Sequence, residues 1–343
     1  MTRAPLRIGV LGIGAMGRHH VRNIRALPGV ELAALADPAG DRYGVAGGLD
    51  VGHDVDWLIG RGIDAAVVAV PTALHEEAAL ALAEAGVHAL IEKPLAADID
   101  AGERIAAAFE GAGLVGAVGY VERCNPAIIE MRRRLDAGQL GEVYQIVTRR
   151  QSPFPARISD VGVVKDLATH DVDLAAWVAG APYESVYAQT ALRSGREHED
   201  LLVASGRLAN GVLVNHLVNW MSPFKERTTV VTGARGALVA DTAMGDLTFY
   251  ENGDMPVLWD QIAAFRGVSE GVVTRYALSK REPLAVEWER FRDAITVGGR
   301  EYVSMREGLE ALRVVEAMLD SAARGQSRRP VCTRMPFDEV SGP

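Results

Sequence analysis

Residues 12 to 17 read Gly12-Ile13-Gly14-Ala15-Met16-Gly17, and this hexapeptide constrains the fold more than any other stretch of the chain. An apolar run over 7–11 precedes it and a helical pattern over 16–27 follows it. A strand that turns on glycine directly into a helix is the phosphate-binding corner of a dinucleotide domain. The first glycine allows the tight turn, and the second lets the backbone approach a pyrophosphate. The third lets helix and strand pack closely, with the anion over the helix N-terminus. Asp37 ends the next apolar run about twenty residues on, where a carboxylate holds the ribose hydroxyls. The same carboxylate repels a 2′-phosphate, so NAD is favoured over NADP; Arg42, close by in sequence, keeps NADP open. The bland alternative is a glycine-rich turn followed by a solvated Asp at a strand end.

Strand patterns recur over 31–36, 65–70, 88–91 and 114–119, with helical spacing over 74–84 and 100–111 between them. Alternation of this kind, with nearly continuous apolar strands, predicts a parallel sheet covered on both faces. After Tyr120 the texture changes. A helix is expected over 125–137, then strands over 143–150, 185–192, 201–208, 211–220, 228–232, 236–241 and 246–251, interrupted by a helix near 168–179. Several of these strands alternate apolar and polar residues, and Ala209-Asn210-Gly211 reads as a hairpin turn. Helices over 283–294 and 304–323 close the chain. The expected fold is α/β: an N-terminal Rossmann domain with a parallel sheet over 1–122, then an α+β domain over 123–343. The second carries a large, open, mostly antiparallel sheet and serves substrate binding and oligomerisation.

Composition narrows the partners. The chain has 343 residues, 48% of them hydrophobic, and a formal charge of −9 spread along its length, so no clustered basic face suits a nucleic acid. Cys124 and Cys332 are the only cysteines and show neither metal spacing nor a disulfide framework, which fits a reducing cytoplasm. The N-terminal apolar run is too short for a signal peptide or a membrane span, so no membrane partner is expected.

Three further motifs are more specific. Val70-Pro71-Thr72-Ala73-Leu74-His75 follows one strand, and Ile91-Glu92-Lys93-Pro94-Leu95 ends the next. Asp166-Leu167-Ala168-Thr169-His170-Asp171-Val172-Asp173 lies in the second half. With the glycine fingerprint, these make the whole chain resemble the glucose–fructose oxidoreductase / inositol dehydrogenase (Gfo/Idh/MocA) family. That resemblance implies an NAD(P)-dependent oxidoreductase. Its cofactor contacts would be Gly12, Ile13, Gly14, Ala15, Met16, Gly17, Asp37, Pro71, Thr72, His75, Glu92 and Lys93. It also implies a Lys-Pro bond that is often cis, and a Lys93 that touches both nicotinamide ribose and substrate.

Hydride removal from a secondary alcohol requires a group that accepts the hydroxyl proton. Asp166 and His170 are four apart and share a helical face. The family implies His170 as base, Lys93 polarising the oxygen and Asp166 orienting; in some members Lys93 is the base, and the sequence leaves both open. Read singly, His170 is a hydrogen-bonded structural residue and Lys93 a solvated strand end. A metal held by Asp166, His170 and Asp173 lacks a distant fourth ligand, and none is expected.

Tyr120-Val121-Glu122-Arg123-Cys124-Asn125-Pro126-Ala127 and the segment 151–164 resemble the branch that oxidises nucleotide-linked sugars at C3. Tyr120, Arg123, Asn125, Arg150 and Arg157 are then substrate-binding candidates, with the arginines facing a diphosphate. The alternative has exposed arginines and an Asn125 that caps the following helix. Cys124 departs from the branch, where an aromatic is common. His198 and His216 read as structural. The function so implied is hydride transfer to or from C3 of a sugar or nucleotide sugar. Alternatives are an inositol or free-sugar dehydrogenase, a glycosidase using bound NAD, and a non-catalytic dinucleotide-binding sensor. The uncovered apolar face of the antiparallel sheet implies a homodimer or homotetramer.

Overall fold

The computed structural model describes residues 4–155, 161–253 and 269–330. Contacts divide these residues into two units: 4–124 with 161 and 282–313, and 125–155 with 162–253, 269–281 and 314–330.

The first unit is built on a parallel sheet of β1 (Leu6–Leu11), β2 (Val30–Ala36), β3 (Val51–Gly52), β4 (Ala65–Val68), β5 (His88–Glu92) and β6 (Gly116–Gly119). Its strand order is β3-β2-β1-β4-β5-β6. β4 is buried along its whole length, which explains its unbroken apolar sequence. Helices α1 (Gly17–Ala26), α2 (Val55–Ile59), α3 (His75–Glu84) and α4 (Ile99–Gly111) connect the strands. The side chain of Asp98 starts α4 by accepting the Ala101 N–H at 2.9 Å. The strand order reverses between β1 and β4, and ligands of open α/β sheets bind at that reversal, beyond the carboxyl ends of the strands. The glycine turn, Pro71 and the Glu92-Lys93 pair all follow those ends. The sequence pattern shows five strands here; β3, only two residues long, is too short to register as one.

One late helix completes this unit. Leu284, Trp288 and Phe291 of α7 (Pro283–Val297) share a buried core with Ile8, Val10, Ile24, Leu35, Val67 and Leu90.

The second unit contains an eight-stranded sheet. Its strands are β7 (Val143–Pro153), β8 (Tyr183–Ala191), β9 (Leu201–Leu208), β10 (Leu213–Asn219), β11 (Met221–Gly233), β12 (Gly236–Asp241), β13 (Asp246–Gly253) and β14 (Ser269–Tyr276). The order is β14-β13-β12-β11-β7-β10-β9-β8, antiparallel except where β10 runs parallel to β7. The 209–211 turn joins β9 to β10 as a hairpin, and Gly211 adopts the left-handed φ of +88° that the turn requires. β14 adds a strand the sequence pattern does not show. Residues alternate across the sheet: Ile146, Val186, Leu202, Val214 and Leu238 are buried, whereas Tyr187, Val203, Leu213, Leu217 and Tyr250 are exposed. Helices α5 (Pro126–Asp136) and α6 (Thr169–Ala179) belong to this unit. In α8 (Met305–Arg324), residues through Arg313 group with the first unit and Val314 onward with the second. Among the described residues no helix is long and apolar enough to cross a membrane.

Candidate active site

The three fingerprint glycines occupy three different environments. Gly12 has a φ of +85°, and a Cβ there would meet the Ala69 carbonyl oxygen at 2.6 Å. A Cβ on Gly17 would run into the Gly12 carbonyl. Both positions are closed by protein, as a tight turn and close helix packing demand. A Cβ on Gly14, by contrast, would touch nothing within 4 Å. Its absence opens backbone where a pyrophosphate must approach. The N-terminus of α1 has no side-chain cap and no acidic residue in its first turn, so its positive end is available to an anion.

Asp37 completes this corner. Its Oδ2 accepts the Ile13 N–H at 2.9 Å and its Oδ1 accepts the Ala39 N–H at 2.8 Å. Each carboxylate oxygen keeps a second lone-pair direction for a ribose hydroxyl. Arg18 lies over the Tyr43 ring at 4.7 Å. These residues fit a dinucleotide.

The neighbouring strand ends carry the other expected cofactor residues. Pro71 precedes a short 3₁₀ turn, Thr72–Leu74, that leads into α3. The Lys93–Pro94 peptide is cis, as the resemblance implied, and Lys93 is half-buried. His75 is buried, with Nδ1 at 3.0 Å from the Pro94 carbonyl and Nε2 at 3.0 Å from the Val70 carbonyl. Burial pushes its pKa down, and a neutral ring has one N–H to give to these two carbonyls. His75 therefore supports the two loops from behind. Glu92 is also turned inward, with Oε1 2.9 Å from Nε2 of His20. Desolvation raises the Glu92 pKa, but the His20 hydrogen bond and the Lys93 charge outweigh it and hold the carboxyl below its usual range.

In the second unit a single π turn, Val164–Ala168, runs directly into α6. It carries Asp166, and His170 lies in the first α turn beyond it; both are buried. π turns inside helices concentrate at functional sites. Glu199 fixes the start of this turn: its carbonyl accepts the Val163 N–H at 2.9 Å and its carboxylate the Val164 N–H at 3.0 Å. Asp171 faces inward and pairs with Arg150 at 2.9 Å, with both side chains almost wholly buried.

That pairing bears on the substrate-binding candidates. Arg150 is engaged inside the second unit, and Arg123 is engaged inside the first by Glu307 at 2.7 Å. Glu307 is held below the usual carboxylate range by the Arg123 charge and by hydrogen bonds from Ser304, against the opposing cost of burial. Asn125 caps α5, accepting the Ala127 N–H at 3.0 Å and donating to the Thr242 carbonyl at 2.9 Å. Tyr120 is fully buried. Arg157 lies outside the described residues. The capping role weighed for Asn125 is the one observed, whereas the alternative of exposed arginines fails for Arg123 and Arg150. His216 is buried between Thr148 and Tyr183, 2.8 Å from each hydroxyl, and belongs to the sheet interior. The sequence reading missed Glu199, Glu307, His20 and Trp288, whose partners are set by the fold rather than by spacing.

An oxidoreductase-family model with an NAD-binding Rossmann fold matches residues 6–120, and a GFO/IDH/MocA C-terminal domain model matches residues 128–239. The chain belongs to the GFO/IDH/MocA oxidoreductase family, and its first unit is the NAD-binding Rossmann domain of that family. Inositol 2-dehydrogenase 2 of Saccharopolyspora erythraea is 34% identical over 221 residues. That match takes in 61% of this chain and 65% of the relative, just under two thirds of its length. Myo-inositol dehydrogenase Hyg17 of Streptomyces leeuwenhoekii is 31% identical over 307 residues, covering 84% of this chain and 94% of that protein. Among solved structures, UDP-N-acetylglucosamine 3-dehydrogenase GnnA from Acidithiobacillus ferrooxidans superposes with a TM-score of 0.81 at 26% identity. It covers 94% of this chain and 99% of its own.

Proposed function

We propose that the protein transfers a hydride between NAD(P) and a secondary alcohol carbon, C3, of a sugar or nucleotide sugar. The observation that carries this reading is Lys93, half-buried at the end of β5 beside the strand ends that bear the open Gly14 cradle and Asp37. A bound dinucleotide supplies the hydride acceptor or donor. The chain's own residues do the rest. Gly14 and the α1 N-terminus take the pyrophosphate, and Asp37 takes the ribose hydroxyls. Lys93 polarises the substrate oxygen, His170 accepts the hydroxyl proton, and Asp166 orients His170. Buried carboxylate and imidazole groups on one helical turn suit such a relay, and a non-catalytic sensor has no use for one.

A second reading, oxidation of an inositol or another free cyclic polyol, is favoured by a specific observation. Arg123 and Arg150 are buried and paired with Glu307 and Asp171, so the charge of each guanidinium is already met by a carboxylate of this chain. Incubating the purified protein with NAD and a panel of UDP-sugars, dTDP-sugars, inositols and free hexoses separates the two. Absorbance at the reduced-nicotinamide band is the readout. Oxidation of inositols alone removes the nucleotide-sugar reading.

The exposed apolar residues Tyr187, Val203, Leu213, Leu217 and Tyr250 support a homo-oligomer joined through the outer face of the eight-stranded sheet. Val203→Glu combined with Leu213→Glu is expected to lower the sedimentation mass to that of the monomer. An unchanged mass rejects this face.

A further inference from the structure

The indole N–H of Trp288 is 3.0 Å from Nδ1 of His20, and Nε2 of the same ring is 2.9 Å from Oε1 of Glu92. An indole N–H can only donate, and an ionised carboxylate can only accept. One state of the ring satisfies both neighbours: Nδ1 bare and accepting, Nε2 protonated and donating. A doubly protonated ring would set two N–H groups against each other. The opposite tautomer would lose both bonds. Trp288 and His20 are fully buried, so water offers neither of them a substitute partner.

The far end of this chain of bonds is the last residue of β5. The second oxygen of Glu92 lies 3.3 Å from the Lys93 N–H. On the adjacent strand Glu92 is paired with Gly119, where a Cβ would come within 3.2 Å of the carboxylate. Ring, peptide N–H and neighbouring strand therefore confine the carboxylate from three sides. The titratable and charged groups that act on it are His20, Lys93, His75 and Glu287, with Arg290 acting on Glu287 in turn. Burial and the nearby Glu92 charge push the Glu287 carboxyl well above its usual range, the opposite direction to Glu92.

We propose that Trp288 and His20 are positioning residues for the Glu92-Lys93 strand end, holding the Glu92 carboxylate in one place and thereby presenting Lys93 in one orientation. The proposal rests on the assignment of Lys93 to the reaction. The state of the His20 ring does not depend on that assignment.

The test has two independent arms. The first is the ¹⁵N spectrum of the histidine side chains. His20 is expected as a neutral ring with its proton on Nε2, and Trp288→Phe, which removes the indole N–H, is expected to produce a mixture of tautomers. A His20 protonated on Nδ1, or one unchanged by Trp288→Phe, overturns the proposal even if the protein is an active dehydrogenase. The second arm is kinetic. His20→Ala is expected to lower kcat about ten- to a hundredfold, the scale of a misplaced reacting group. Glu92 then protonates more readily, so the acid limb of the pH profile moves up by about one unit. His20→Gln, whose amide can donate to Glu92, is expected to recover most of both changes. A folded His20→Ala protein with unaltered kcat and acid limb refutes the positioning role. If the His20 ring behaves as expected while Lys93→Ala keeps full turnover, it is the assignment of Lys93 that falls.

Discussion

Asp37 accepts the Ile13 N–H at 2.9 Å, tying the end of the second strand to the glycine turn that follows the first. One carboxylate thus shapes the glycine corner and, in the proposed function, holds the ribose as well. Asp37→Ala is expected to weaken NADH binding about ten- to a hundredfold, the scale of a hydrogen bond to a charged group. NADPH should lose less, because removing the carboxylate also removes its repulsion of a 2′-phosphate. Fluorescence titration with both nucleotides measures the difference. An equal loss for the two contradicts the ribose role.

Lys93 and His170 each carry a proposed role, the first polarising the substrate oxygen and the second accepting its hydroxyl proton. Each alanine variant is expected to reduce turnover by roughly 10²- to 10⁴-fold, the usual contribution of a positioned acid or base. Steady-state rates with the best substrate of the panel decide the matter. Full activity in both variants would sink the site assignment.

The Arg150–Asp171 pair separates a structural arginine from a substrate anchor. Arg150→Ala leaves the Asp171 charge buried without its partner and should cost about 3–5 kcal/mol of stability. An arginine that served only to hold a diphosphate would instead raise KM and leave the denaturation midpoint unchanged. Urea unfolding of the variant distinguishes the two outcomes.

Acid should weaken the second unit through His216. Desolvation lowers its pKa from 6.5 to about 4, so the folded state favours the neutral ring. The unfolded chain takes up the proton near pH 6.5, whereas the folded one does not until about pH 4. The associated stability is therefore complete above pH 6.5 and is lost as the pH falls toward 4. Its size is ~3 kcal/mol. Unfolding free energies at pH 7 and pH 4.5 should differ by about 2 kcal/mol less in His216→Asn than in the unaltered protein, the remainder being lost below pH 4.5. Equal acid sensitivity in the two proteins would show that His216 carries no such linkage.

Much of the fold is written locally. The glycine turn, the apolar strands and the hairpin at Gly211 depend on residues within a few positions of one another, and the sequence shows them. The closed turn at Gly12, the open backbone at Gly14 and the close packing at Gly17 also follow from the glycine spacing set between a strand and a helix. Pairings across long stretches of chain leave no such trace. Arg123 meets Glu307 across 184 positions and His20 meets Trp288 across 268. An arginine beside a proline-rich loop looks the same whether it awaits a phosphate or already has a glutamate. The internal partners of Arg123 and Arg150 were hidden for that reason. β3 escaped for another: two residues are too few to show a period.

The placement of Trp288 and Phe291 in the core of the first unit has a consequence during synthesis. A chain emerging from the ribosome carries its dinucleotide half long before it carries α7. At about 5–20 residues per second, the stretch between Cys124 and Phe291 takes on the order of ten seconds or more to produce. For that interval His20 has no indole to pair with, and the apolar surface that α7 will cover stays open to water or to a chaperone. A fragment ending at Cys124 would keep that exposed state permanently, and the nascent dinucleotide half becomes a finished binding domain only once α7 has been delivered.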